Sequence, residues 1–184
     1  MTAGLYLKVN NRYAFMFGPN KENTAHGIVR FGGHALQNET AVECALREVQ
    51  EEASVNANLY DSPCTYFLAE ECATPVLAKP ADSFGVTPFM ILGNPMSASQ
   101  SVMFVGNTSE VLQPSGETQG IVMLTREEIQ IICKEEVTLG DFVKANGKII
   151  ERSELCRNHK LVPYLQLKFL NWVLLNTDLQ IDSC

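Results

Sequence analysis

Residues 32–52 of the chain read GGHALQNETAVECALREVQEE. Two glycines come first, and a single carboxylate, Glu39, separates them from a dense acidic run. If that run is helical, Glu48, Glu51 and Glu52 stand at positions i, i+3 and i+4 and share one face. Carboxylates placed in this way repel each other unless a cation joins them, and oxygen ligands are what magnesium prefers. The stretch therefore predicts a metal site, and the alternative is a solvated acidic helix face.

Local signals around this stretch predict where its elements begin. Thr40, followed three residues later by Glu43, is a capping-box pattern and marks the helix start. The apolar residues that would form its buried stripe recur at helical spacing: Val42, Ala45, Leu46, Val49 and Ala53. This spacing is expected to turn the three carboxylates away from the core. Residues 27–31 predict a short strand that ends at Gly32 and Gly33, where the backbone turns sharply and exposes its carbonyl groups.

The rest of the chain predicts a mixed-sheet α/β or α+β domain with helices on both faces. A β-hairpin is expected around the turn at residues 10–11, with further strands within residues 56–68, 89–92, 101–105 and 120–124. A second helix is predicted from Thr125 to about Lys134, and a last one over residues 163–176. Residues 70–88 and 140–160 show no clear period and are predicted as irregular loops.

Length and composition limit the class of protein. A chain of 184 residues with 46% hydrophobic content is expected to form one domain, residues 1–184. A formal net charge of −7 with only 14 Lys plus Arg argues against a nucleic-acid binder. No run approaches a membrane span and the first residues lack a signal-peptide pattern, so a cytoplasmic protein without a membrane partner is expected. Six cysteines without zinc spacing predict free, structural thiols.

The pattern of Gly33, Glu39 and the Arg47-to-Glu52 run, followed by Ala-Ser-Val at residues 53–55, resembles the Nudix box of the Nudix hydrolases. The resemblance spans Gly33 to Val55. It implies a Nudix fold, which is an α/β/α sandwich around a mixed sheet. It also implies an enzyme that cleaves a nucleoside diphosphate linked to another group, with Mg²⁺ or Mn²⁺ as the cofactor.

Roles for individual residues follow from the same resemblance. Glu51 and Glu52 match a metal-binding pair, Glu48 matches a metal ligand or general base, and the Gly32 carbonyl matches a backbone ligand. Arg47 matches an arginine that positions the carboxylates by ion pairing, here with Glu39 or Glu43. Glu48, Arg47 and Glu51 are thus the candidate catalytic residues, with Glu48 the first candidate for the base. The residues alone do not choose between the glutamates for that role.

Three positions depart from the family's usual pattern. Ser54 stands where the family usually has a glycine, often in a left-handed backbone conformation, so either serine costs roughly 1 kcal/mol there or the turn differs. Asn38 also replaces a common glycine, but asparagine tolerates positive φ. Phe31 stands where a proline is common. None of the three removes a proposed ligand.

Candidates outside the box are weaker. Glu117 is the best-placed further carboxylate and Glu110 the second, although both are also explained as solvated loop residues. Arg157, His159 and Lys160 form a locally basic patch that could bind a phosphate or simply face solvent. Tyr66, Phe84 and Tyr164 could stack on a base, and core packing is the alternative for each.

Three functions are compatible with these observations. The first is a metal-dependent pyrophosphohydrolase acting on a small nucleoside diphosphate derivative. The second is a Nudix-fold module that senses a nucleotide without hydrolysing it, which would normally have lost a box carboxylate. The third is the isomerase branch of the fold, which typically lacks the complete Arg-Glu-x-x-Glu-Glu run. The family also makes a homodimer possible, and no motif in the chain selects one substrate.

Overall fold

The structure, a computed structural model, describes residues 1–79, 84–93 and 100–177. The described residues form twelve strands and four helices. The strands are β1 Thr2–Val9, β2 Arg12–Pro19, β3 Ala25–Val29, β4 Phe31–His34, β5 Asn58–Tyr60, β6 Thr65–Leu68, β7 Val76–Ala78, β8 Met90–Leu92, β9 Ser101–Asn107, β10 Gly120–Leu124, β11 Lys148–Glu151 and β12 Lys160–Pro163. The helices are α1 Ala41–Ala53, α2 Arg126–Lys134, α3 Leu139–Lys144 and α4 Leu165–Asn176.

All of these strands belong to one mixed sheet. Its main path runs β11-β10-β2-β1-β9-β8-β6-β7, while β3 pairs with β2 and β12, β4 pairs with β1, and β5 pairs with β9. The pairs β1 with β9, β6 with β8 and β3 with β12 are parallel, and the other pairs are antiparallel. The predicted mixed sheet is confirmed.

Side chains that alternate along β1 belong to two separate layers of the hydrophobic core. Leu5 and Leu7 pack in a cluster with the buried side of α1, while Tyr6 between them packs in a second cluster with residues of α2, α3 and α4. Successive side chains of a strand point to opposite faces of a sheet, so the two clusters cover its two faces. The predicted α/β/α sandwich is confirmed.

Most of the predicted elements are present. The first hairpin turns at Asn10, which has a φ of 55°. The second helix begins at a capping box between Thr125 and Glu128. The strands predicted within residues 56–68, 89–92, 101–105 and 120–124 correspond to β5, β6, β8, β9 and β10, and α4 matches the predicted last helix to within two residues.

Two segments predicted as irregular contain regular structure. Within residues 70–88, β7 pairs with β6 over the three residues Val76–Ala78; residues 80–83 lie outside the described ranges. Residues 140–160 contain most of α3 and all of β11, and end at the start of β12. These elements are short, and β7 and β11 are each stabilised by pairing with another strand, β6 and β10 respectively, so local periodicity gives little sign of them.

The described cysteines carry free thiols, as the sequence predicted. Cys44, Cys64, Cys72, Cys133 and Cys156 are free cysteines, and Cys184 lies outside the described residues. Cys44 is fully buried against the sheet. Over residues 1–79, 84–93 and 100–177, no helix has the length and apolar character needed to cross a membrane.

Ser54 ends α1 in the left-handed conformation, with φ 56° and ψ 34°. Its hydroxyl also donates a hydrogen bond of 2.9 Å to the Ser115 hydroxyl. We expect Ser54→Gly to be more stable than Ser54→Ala by about 1 kcal/mol, because both variants lose that hydrogen bond and only alanine keeps a Cβ in this conformation. Urea unfolding of the two variants measures the difference; equal stabilities would contradict the assigned conformation.

Candidate active site

Two features predicted from its sequence, an N-terminal cap and a buried apolar stripe, stabilise helix α1. The Thr40 hydroxyl accepts the Glu43 backbone N–H, and the Glu43 carboxylate accepts the Thr40 N–H at 2.9 Å, which confirms the capping box. The fully buried residues of the helix are Ala41, Cys44, Ala45, Val49, Glu52 and Ala53. The predicted stripe is correct for Ala45, Val49 and Ala53, whereas Val42 and Leu46 are only half-buried.

Gly32 and Gly33 lie inside strand β4, so the prediction that they sit at a strand end is wrong. They pair in antiparallel register with Gly4 and Ala3 of β1. Gly32 has a φ of 140°, and a Cβ there would lie 2.3 Å from the Ala3 carbonyl oxygen. The chain can therefore pass this point of the sheet only with glycine at position 32.

Glu52 is the carboxylate that the structure places most differently from the prediction. It is only 5% exposed, and its Oε2 accepts the Gly32 backbone N–H at 2.9 Å. Burial, reinforced by the nearby Glu48 and Glu117 carboxylates and opposed by the Gly32 hydrogen bond and Arg30, raises the pKa of Glu52 to about 8. Only Glu48 and Glu51 thus remain away from the core as predicted.

The spacing along α1 contains the signal for this difference. Ala45, Val49, Glu52 and Ala53 stand at i, i+4, i+7 and i+8, which is the buried face of an amphipathic helix. Glu52 therefore belongs to both the acidic run and the buried stripe. A carboxylate at such a position needs a partner, and the Gly32 N–H supplies it.

Glu48 lies directly over the second glycine. A Cβ on Gly33 would lie 2.5 Å from Glu48 Oε1 and 2.7 Å from Glu48 Oε2. The side chain of Glu48 is 13% exposed, whereas that of Glu51, one turn along the helix, is 58% exposed. Exposure of the three carboxylates therefore increases from Glu52, which is buried against β4, through Glu48 to Glu51.

Arg47 joins the carboxylates of the box. Its Nε and Nη2 donate to the two Glu39 oxygens at 2.7 and 3.0 Å, and its Nη1 donates to Glu48 at 2.8 Å and to Glu51 at 3.1 Å. The hydrogen bonds to Glu39 and Glu48 raise the pKa of Arg47, and the bond from Arg47 lowers the pKa of Glu39. Glu39 is the predicted partner; Glu43, the alternative partner, is occupied in the helix cap.

The loop between β9 and β10 caps the C-terminus of α1. The Gln113 N–H donates to the Ala53 carbonyl at 2.9 Å, and the Ser115 N–H donates to the Glu52 carbonyl at 3.0 Å. The Ser115 hydroxyl donates to the Glu51 carbonyl at 2.6 Å. This tertiary cap, which has no local sequence signal, places Glu117 close enough to Glu52 to raise the pKa of Glu52.

The remaining sequence candidates have other partners. Glu110 accepts the Asn56 backbone N–H at 3.0 Å. Arg157 donates two hydrogen bonds to Glu151, at 2.6 and 3.1 Å, and Lys160 pairs with Glu136 at 2.6 Å. The His159 ring lies 5.0 Å from the His26 ring, at an interplanar angle of 52°. These ion pairs are formed with carboxylates outside the α1 cluster, so the structure gives no support to Arg157 or Lys160 as phosphate ligands.

Arg30 is a residue of this site that the sequence reasoning missed. It directly precedes β4, and its Nη1 donates to the Gly32 carbonyl. Burial lowers the pKa of Arg30, and the nearby Glu52 carboxylate opposes that shift. The Gly32 carbonyl, the proposed backbone metal ligand, therefore keeps only one free lone pair. The sequence signal that could have identified Arg30 is a charged residue within an otherwise apolar strand pattern.

The side chains as placed do not enclose an ion. Within the described ranges, no three His, Cys, Asp or Glu side chains converge closely enough to hold a metal. The donor set nevertheless fits a hard divalent cation, because Glu48, Glu51, Glu52 and the Gly32 carbonyl supply oxygen alone. Burial is the main cause of the raised pKa of Glu52, and the nearby Glu48 and Glu117 carboxylates add to it. A bound cation would offset the repulsion among these carboxylates.

Comparisons with known proteins concern the fold. No protein-family model matches the chain, and no curated protein matches it. Among solved structures it is similar to a NUDIX family hydrolase from Clostridium perfringens, with a TM-score of 0.47 and 17% identity over 70% of this chain and 82% of that chain. A NUDIX hydrolase from Nitrosomonas europaea has a TM-score of 0.45 and 14% identity over 69% and 57% of the two chains.

An Ap4A hydrolase from C. elegans, solved as a binary complex, has a TM-score of 0.43 and 16% identity over 70% of this chain and 82% of that chain.

Proposed function

We propose that this chain is a Nudix-type, metal-dependent hydrolase that cleaves the pyrophosphate linkage of a nucleoside diphosphate joined to another group. The observation that carries the proposal is the contact between helix α1 and strand β4. There Glu52 is hydrogen-bonded to Gly32, Glu48 lies over Gly33, and Arg47 connects Glu48 and Glu51 to Glu39. A solvated acidic helix needs neither a buried carboxylate nor glycines against it, which disfavours the alternative of an ion-free helix face.

Glu48, Glu51, Glu52 and the Gly32 carbonyl are the residues that would hold Mg²⁺ or Mn²⁺, with Glu117 as a further carboxylate from the β9–β10 loop. When bound, such an ion neutralises phosphate oxygens and lowers the pKa of an attacking water. Without a cation, this acidic surface would repel a diphosphate.

The chain's own residues supply orientation and proton transfer. Arg47 donates hydrogen bonds to the Glu48 and Glu51 carboxylates and so fixes their orientation. Glu48 accepts a hydrogen bond of 2.8 Å from Arg47 and is our proposed general base. Glu48 lies between the buried Glu52 and the exposed Glu51, and this position fits a carboxylate that takes a proton from water.

The test is a panel of nucleoside diphosphate derivatives, dinucleoside polyphosphates and nucleoside triphosphates assayed with Mg²⁺ or Mn²⁺. We expect turnover of at least one class, and a loss of about 100-fold or more in kcat/KM for Glu51→Gln and for Glu52→Gln, since each removes a charged ligand but keeps its shape. Glu154→Gln, an exposed glutamate outside the cluster, is the matched control and should leave the rate unchanged.

Two results would overturn the proposal. Turnover that survives both Glu51→Gln and Glu52→Gln would remove the metal-site assignment. Tight nucleotide binding without turnover of any compound, with either ion present, would favour the non-catalytic sensing module instead.

A further inference from the structure

A cavity of 440 Å³ opens beside the acidic cluster. It is lined by the ends of β2 and β3, by the residues that precede β10, and by Tyr164 at the start of α4. Glu117 belongs to both places, because it lines the cavity and also raises the pKa of Glu52. The volume lies within the range of about 300–1,000 Å³ that is typical of small-molecule sites.

Tyr164 presents a flat aromatic surface at this cavity. Its ring lies over Gly27, where a Cβ would be 2.8 Å from Tyr164 Cζ. The residue is 42% exposed, although its backbone is fixed by a hydrogen bond of 3.2 Å from its N–H to the Ile28 carbonyl. An aromatic ring that rests on a bare strand with much of its surface open is a platform for stacking.

The other walls combine apolar residues, such as Phe17 and Val29, with a few polar ones, and none of them carries a positive charge. Gly18 and Gly27 face each other as partners on β2 and β3, so the floor carries no side chains at that point. Gln119 offers an amide and Met16 a thioether, while none of the lining residues is Lys, Arg or His. The Glu117 carboxylate disfavours a phosphate inside the cavity. The site therefore suits an uncharged planar group with hydrogen-bonding edges.

We propose that this cavity binds the nucleobase of the substrate, stacked on Tyr164, with the diphosphate extending past Glu117 to the α1 carboxylates. This inference rests on the proposed function and adds the residue that holds the base. Tyr164 is a binding residue in this arrangement and takes no part in bond cleavage. Base stacking on an aromatic side chain is sequence-tolerant, so several bases are accepted with similar affinity.

The test compares Tyr164→Ala with Tyr164→Phe on the best substrate of the panel. We expect Tyr164→Ala to raise KM about ten-fold or more, with kcat within about three-fold of wild type, because the base is bound equally in the ground and transition states. Tyr164→Phe keeps the ring and should keep KM within about three-fold. Inhibition by tripolyphosphate, which carries no base, should be the same in all three proteins.

The Tyr164 substitutions leave the start of α4 intact, since the Tyr164 side chain makes no capping hydrogen bond. Gly27→Ala is an independent variant, because its methyl group would displace the ring from the strand, and we expect KM to rise there too. Circular dichroism and thermal melting of each variant identify any loss of folding.

Failure of this inference is distinguishable from failure of the proposed function. An unchanged KM in Tyr164→Ala, with activity still lost in Glu51→Gln, overturns the base site alone. If no compound is turned over, calorimetric titration with AMP, GMP, CMP and UMP decides the question. Equal affinity of wild type and Tyr164→Ala, or no binding by either, overturns the base site, whereas weaker binding by Tyr164→Ala supports it.

Discussion

Gly33→Ala is expected to lower kcat about 1,000-fold while leaving the protein folded, because its methyl group occupies the space of the Glu48 carboxylate. The three nearest atoms to that Cβ all belong to the end of the Glu48 side chain, at 2.5 to 2.7 Å. A flexible carboxylate can swing outward at little cost in stability. A carboxylate that must bind metal and take a proton cannot move without losing its role, and a misplacement of about 1 Å can already cost about 100-fold.

The measurement is kcat on the best substrate of the panel, together with the thermal unfolding midpoint. We expect the midpoint of Gly33→Ala to stay within about 4 °C of wild type, which corresponds to roughly 1 kcal/mol in a domain of this size. Glu48→Gln should give a similar loss of kcat, and the double variant should be no worse than either single one, since both act on one group. Full activity in Gly33→Ala would show that Glu48 is not needed where it lies.

Gly32→Ala is expected to act on folding instead. Its Cβ would lie 2.3 Å from the Ala3 carbonyl oxygen and 2.5 Å from the Gly4 Cα, both of which are backbone atoms of the central strand β1. The φ of 140° is also a conformation that essentially only glycine adopts. Backbone strain and overpacking each cost about 1–3 kcal/mol, so we expect a loss of at least about 3 kcal/mol in the free energy of unfolding.

Urea unfolding measures this loss, and the adjacent Gly33→Ala variant is the matched control with the same chemical change. The expected result is a lower unfolding midpoint for Gly32→Ala and a near-normal one for Gly33→Ala. A Gly32→Ala protein as stable as wild type would contradict the position of residue 32 within β4. Equal destabilisation of both variants would contradict the contrast between a backbone contact and a movable side chain.

Much of this arrangement follows from local sequence. The capping box at Thr40 and Glu43 begins α1, and Ser54 and Asn38 have positive φ, as the glycine-replacing pattern predicted. Arg47 pairs with Glu39, which is one of the two partners that the resemblance left open. Each of these features depends on residues within about one or two helical turns of each other, where spacing alone sets the geometry.

The missed features depend on distant parts of the chain. Strand β11, for example, pairs with β10, which is separated from it in the chain by α2 and α3. Arg30 reaches the Gly32 carbonyl because Gly4 on the neighbouring strand leaves room for its side chain. Propensity cannot predict such contacts, because their stabilising energy arises from partners far away in sequence.

The local sequence thus specified three features of residues 32–52: the acidic composition, the helix and the hydrogen bonds from Arg47 to nearby carboxylates. The helical spacing already places Glu52 on the buried stripe, whereas the hydrogen-bond partner of Glu52 and the glycine beneath Glu48 were decided by the packing of α1 against β1 and β4. The physical reason is the cost of removing a charge from water. Glu52 is tolerated inside only because strand β4 presents the Gly32 N–H to it and because Arg30 lies nearby.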